Sequence, residues 1–101
     1  MHKTAYAHSL DMATRNYFSH YTPENENIEN RLNDNNIKYR AYGENIAGNI
    51  SSVYRATDGW YNSTDHRNCM LYDFEYLGVG IAYNQYSKYK FYITQNYYTP
   101  S

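Results

Sequence analysis

Tyr76–Tyr98 reads YLGVGIAYNQYSKYKFYITQNYY, two apolar runs joined by a polar turn. Leu77, Val79, Ile81 and Tyr83 share one face at a period of two. NQYSK supplies the turn. On the return, Phe91, Ile93, Gln95 and Tyr97 fall on one face, and Tyr92, Thr94 and Asn96 on the other. The pattern is that of an antiparallel β-hairpin. What precedes it is largely helical in spacing. Helices followed by a terminal antiparallel hairpin predict an α/β (α+β) domain in which helices layer onto a sheet.

Ala5, His8 and Met12 recur at helical spacing, which predicts a helix over Thr4–Asn16. Pro23 and the acidic residues after it predict a second short helix from Glu24 to Asn33, with Ile28, Arg31 and Leu32 as its stripe. Ile37, Tyr39 and Ala41 alternate up to Gly43, which predicts a short strand ending in a loop there. Ser51 or Ser52 can cap a third helix that buries Val53, Ala56 and Trp60. Ser63 or Thr64 can cap a further helical turn or two over STDHRNCML.

Composition narrows the function classes. At 101 residues the chain reads as one domain over 1–101 with a modest core. The net charge of −1, with no basic block, argues against nucleic acid as a partner, because that affinity rests on clustered Lys and Arg. No apolar run is long enough to span a membrane. The single cysteine, Cys69, excludes an intramolecular disulfide and reads as a small buried hydrophobe. The 15 tyrosines each want a buried ring and a hydrogen-bonded hydroxyl, so a half-polar core boundary is expected.

Four residues able to carry chemistry stand beside structural punctuation: His8, His20, Glu44 and His66. His8 lies on the apolar stripe of its helix and reads as a core histidine. His20 follows the Tyr17-Phe18 pair, as either a helix C-cap or a ligand. Glu44 follows Gly43 and can accept backbone N–H groups at a turn. His66 lies between Asp65 and Arg67, as either a solvated turn residue or a ligand. Two histidines and a carboxylate suit zinc, and equally suit general acid–base work. Spacing does not establish that they converge.

Five segments occur in a telling order: AHSLDMATRNYFSHYTPE, YGENIAGN, DGWYNSTDHRNCML, YLGVGIAY and FYITQNYY. Together they resemble the bacterial branch of the CAP superfamily. That superfamily comprises the cysteine-rich secretory, antigen 5 and pathogenesis-related 1 proteins, also called SCP-like extracellular proteins. The resemblance implies a three-layer α-β-α sandwich around a central antiparallel sheet. It also implies a secreted or cell-surface location, and a cleft of His and Glu that binds a divalent metal, often zinc, or a small ligand.

By that resemblance His20 is the first cleft histidine, held by an aromatic pair packed in the core, and Glu44 is the glutamate of the Gly-Glu-Asn motif. Two family positions differ: Ser63 stands where a second glutamate is usual, and Tyr92 where a second histidine is usual. His66, one helical turn after Ser63, is then expected to restore the missing imidazole, giving a metal set of His20, His66 and Glu44. Tyr92 and Gln95 are expected in the ligand-binding cleft beside them. The chain begins almost at the A..HS helix, so the family helix that usually comes first is expected to be missing. An undercovered layer would favour a homodimer. The readings open at this point are a non-catalytic metal- or ligand-binding module, a metal-assisted hydrolase of peptidase type, and a binder of cell-wall glycan or protein with a vestigial cleft.

Overall fold

β3 (Phe91–Pro100) is the middle strand of an antiparallel sheet ordered β1-β3-β2, flanked by β1 (Tyr39–Gly48) and β2 (Tyr76–Tyr83). The computed structural model describes residues 2–101. A middle strand has neighbours on both edges and layers on both faces, so every residue from Tyr92 to Tyr97 is buried. Among the described residues the helices are α1 (His2–Arg15), α2 (Ile28–Asp34), α3 (Val53–Tyr61) and α4 (Thr64–Leu71).

Register sorts the side chains into two layers. Glu44 pairs with Asn96, Ile46 with Thr94 and Gly48 with Tyr92, while Gly78, Gly80 and Ala82 face the same three β3 residues from the other edge. These residues form one face, and α1 covers it. Met12 and Ala13 pack with Ile46, Ala82 and Tyr92. The Ser9 hydroxyl donates to the Gly80 carbonyl at 2.9 Å and shares a hydrogen bond with Thr94 at 2.7 Å. On the opposite face Ala56 and Trp60 of α3 pack with Ala47 and Ile93. The Trp60 indole donates to the Ile46 carbonyl at 3.0 Å. Helices therefore lie on both sides of the sheet, giving the expected α-β-α sandwich in an α+β chain.

Several expected boundaries shift, each for a physical reason. α1 stops at Arg15, because Asn16 takes the left-handed conformation that ends many helices (φ 56°). The second helix starts at Ile28 and not at Glu24. Asn27 accepts from the Asn30 N–H while the Asn30 side chain accepts from the Asn27 N–H, a reciprocal capping box. Pro23 instead sits in a turn closed by the Asn25 N–H on the Thr22 carbonyl at 2.7 Å. β1 does not stop at Gly43 but pairs with β3 as far as Gly48. Gly43 is there because α4 crosses it closely: a Cβ would lie 2.6 Å from the Cys69 sulfur.

β2 also presents an unexpected face. Gly78, Gly80 and Ala82 are its buried residues, while Leu77, Ile81 and Tyr83 are exposed. α1 lies so near that a Cβ on Gly80 would sit 2.2 Å from the Tyr6 backbone nitrogen. Only the smallest side chains fit beneath it. Among the described residues no helix is long and apolar enough to cross a membrane.

Candidate functional site

Glu44 lies in mid-strand, on the α1 face of the sheet, with only 2% of its side chain exposed. A carboxylate so placed needs partners. His20, in the loop after α1, donates its Nδ1–H to Oε1 at 2.8 Å. Arg31 of α2 donates from Nη1 to Oε2 at 2.5 Å and from Nη2 to Oε1 at 3.3 Å. The same Nη2 donates to the His20 backbone carbonyl at 2.7 Å. Arg31 thus ties the loop carrying His20 to the strand carrying Glu44. Burial pushes the Glu44 pKa up, but the hydrogen bonds from His20 and Arg31 and the charge of Arg31 more than offset it, leaving the pKa below its ordinary value.

The carboxylate only accepts, so it fixes the His20 tautomer. Nδ1 carries the proton and Nε2 is left as an acceptor, on a side chain 47% exposed. His20 does not cap α1, since it stands well beyond Arg15. The aromatic pair before it is split in role. Tyr17 packs against the Met12–Tyr92 cluster and donates its hydroxyl to Asp11, while Phe18 is 40% exposed and meets Tyr89 edge-on. Only half of the expected core packing behind His20 is present.

Sequence reasoning misses Arg31 as part of this site. Its place on the Ile28–Leu32 stripe reads as an apolar position, yet what that stripe delivers is a charged group with 11% of its side chain exposed. A lone arginine on the inward stripe of a short helix, close before a Gly-Glu motif, is the available signal.

The remaining candidates lie elsewhere. His66 belongs to the α4 layer on the opposite face of the sheet. Its backbone carbonyl accepts from Asn45, the neighbour of Glu44 that points the other way, and its Nδ1 meets the Ser63 hydroxyl at 2.9 Å. The expected contact one helical turn apart is therefore made, but it does not bring His66 to Glu44. Gln95 is on that opposite face too, accepting from the Asn45 amide and from the Tyr97 hydroxyl. Tyr92 is on the Glu44 face but buried in the Met12–Ile46 cluster, and the hollow of about 240 Å³ that it lines lies against Tyr17, Phe18 and Tyr89 and does not include His20 or Glu44. His8 is a core histidine, 1% exposed, donating Nε2–H to the Ser19 carbonyl at 2.9 Å.

A zinc set of His20, His66 and Glu44 does not fit this arrangement. Among the described residues no three metal-type side chains come together. Both Glu44 oxygens are already engaged, and both accept from a guanidinium that would repel a cation. The rim is more distinctive. Tyr21 and Tyr42 stand near His20 and Glu44, 50% and 37% exposed, and the Tyr42 hydroxyl donates to Glu29 at 3.1 Å. An open groove of about 460 Å³ lies across the sheet, against Gly43, Cys69, Tyr72 and Phe74, and does not include His20. Burial, and then the Glu44 charge, push the Cys69 thiol up to about 11, so it is no nucleophile at neutral pH.

Residues 1–97 match the family model of the cysteine-rich secretory protein family, CAP. The chain belongs to this family. An extracellular protein containing an SCP domain from Bacillus anthracis strain Ames superposes with a TM-score of 0.79 at 38% identity, covering 97% of this chain and 31% of that one. An outer surface protein of Borrelia burgdorferi shares the fold at a TM-score of 0.83 and 14% identity, over 98% of this chain and 72% of its own. Among curated sequences, the uncharacterized membrane protein YlbC of Bacillus subtilis is 37% identical over 87 residues, which is 85% of this chain and 25% of YlbC. The uncharacterized protein YkwD of the same species is 35% identical over 79 residues, 77% of this chain and 31% of YkwD. The CAP chain described here thus spans about a quarter to a third of the curated relatives it matches.

Proposed function

We propose that this CAP domain is an extracellular recognition module that binds a small hydroxyl-rich ligand, of the cell-wall saccharide class, without catalysis. The single observation that carries this is the His20–Glu44–Arg31 relay. It spends the Glu44 carboxylate on orienting His20 and leaves the His20 Nε2 outward as one fixed hydrogen-bond acceptor. The exposed rings of Tyr21 and Tyr42 beside it offer the aromatic faces that sugars stack on. The described extracellular nature of the Bacillus anthracis relative supports the location. A metal-assisted hydrolase would need a carboxylate that water can reach, and Glu44 is 2% exposed behind His20 and Arg31. Zinc would meet one imidazole nitrogen, so its binding is expected to be weak.

NMR titration with soluble peptidoglycan fragments, and separately with zinc, tests this. Shifts confined to His20, Tyr21 and Tyr42 on adding the fragments, lost in His20→Ala and kept in His66→Ala, are the expected result. Tight zinc binding that needs both histidines would overturn it. The exposed Leu77, Ile81 and Tyr83 suit pairing with a second copy. Sedimentation that stays monomeric over a wide concentration range would remove that part.

A further inference from the structure

Among the described residues, four buried side-chain atoms on the α1 face have no protein partner: His8 Nδ1, Arg31 Nε and both polar atoms of the Asn96 amide. They are gathered around Glu44 by several independent constraints. Asn96 is its register partner on β3 and fully buried. Arg31 grips its carboxylate. His8 and Arg31 bond consecutive carbonyls, those of Ser19 and His20. The charges of Arg31 and Glu44 both act on His8.

The hydrogen-bonding capacities are complementary. The Ser19 carbonyl can only accept, so His8 carries its proton on Nε2 and presents Nδ1 as an acceptor. Arg31 Nε is a donor, and the Asn96 amide is both. A buried polar atom left without a partner is destabilising, and native proteins satisfy such groups with internal water making two to four hydrogen bonds. A molecule that accepts from Arg31 Nε–H and donates to His8 Nδ1 or the Asn96 carbonyl meets that need.

We infer that His8, Arg31 and Asn96 form an internal site for ordered water on the inner side of Glu44. It stands apart from the ligand reading of the outer face. The bound water continues the relay inward, from His20 through Glu44 and Arg31 to His8. It holds the Arg31 fork against Glu44. Asn84 and Asp11, on other parts of the same layer, already have partners and take no part.

A crystal structure of the full chain, at a resolution that shows internal water, is the direct test. Density within hydrogen-bonding distance of at least two of His8 Nδ1, Arg31 Nε and the Asn96 amide is expected. A dry site, with the Asn96 amide turned onto protein groups, would overturn the inference. Asn96→Leu, of similar volume, gives a second readout by its sign. If water satisfies the amide, the variant removes hydrogen bonds and Tm falls by roughly 4–8 °C. If the amide is dry and unpaired, the variant relieves a cost and Tm rises.

Discussion

Replacing Arg31 by glutamine removes the guanidinium fork and leaves Glu44 buried with His20 as its one remaining partner. Arg31 makes three hydrogen bonds, two to Glu44 at 2.5 and 3.3 Å and one to the His20 carbonyl at 2.7 Å. Removing one partner of a buried ion pair costs about 3–5 kcal/mol, because the other charge is left uncompensated. His20 still donates to Glu44, so the lower end applies, about 3 kcal/mol. In a domain of this size that corresponds to a fall in Tm of roughly 12–24 °C. Trp60 is the only tryptophan, 4% exposed and bonded to the Ile46 carbonyl, so its fluorescence reports urea unfolding without added labels. Arg31→Gln, Glu44→Gln and the double variant complete the cycle. The expected result is that Arg31→Gln is far less costly once Glu44 is neutral. A loss below about 1 kcal/mol, the value of an exposed pair, or an equal loss in both backgrounds, would refute the clamp.

Two glycines should respond in opposite directions. Gly80→Ala drives a Cβ to 2.2 Å from the Tyr6 nitrogen, so α1 must lift and stability must fall. Gly59→Ala meets nothing within 4 Å inside α3 and should gain up to about 1 kcal/mol; a urea midpoint that rose in Gly80→Ala, or one that fell in Gly59→Ala, would contradict the respective reading. Burial, and then the Arg31 charge, hold the His8 imidazole below its ordinary value of 6.5. The unfolded chain therefore binds a proton that the folded chain refuses, so this contribution is complete above pH 6.5 and is lost as pH falls below it. Urea midpoints should drop on acidification through that window, less so in His8→Phe, with Glu44 adding a further loss below its ordinary 4.5. The Cys69 thiol, moved from 9.0 to about 11, should alkylate far more slowly at neutral pH than in urea, and equal rates would show that it is not held by the fold.

Much of this fold is legible in the sequence because apolar spacing reports burial directly. Ala56 and Trp60 of the expected α3 stripe, the alternation along β3 and the Ser52 cap, whose side chain accepts from the Arg55 N–H at 3.3 Å, all follow from residue type and period, while Val53, expected in that stripe, is 38% exposed at the first turn of the helix. What escapes is tertiary. Gly43 looks like a strand end, but it marks the crossing of α4, which no local pattern records. Gly78 and Gly80 look like gaps in an apolar strand, yet they form its buried face because α1 rests on them. In the candidate site, family resemblance singles out His20 and Glu44, and the structure puts them in contact at 2.8 Å. His66, expected in the cleft from its spacing to Ser63, lies in a different layer. The strand alternates sides at each residue, so Glu44 and Asn45 look in opposite directions, and it is Asn45 that meets His66. Arg31 escapes because an inward-facing charge is visible only once its partner is placed.

The most direct test is the tautomer of His20, read by nitrogen-15 NMR of the imidazoles at neutral pH, in the wild type and in Glu44→Ala. The relay predicts a wild-type ring protonated on Nδ1, with Nε2 free to accept, and loss of that preference when the carboxylate is removed. A wild-type His20 protonated on Nε2, or a tautomer unchanged in Glu44→Ala, would mean that Glu44 does not orient His20 and that the cleft lacks its fixed acceptor.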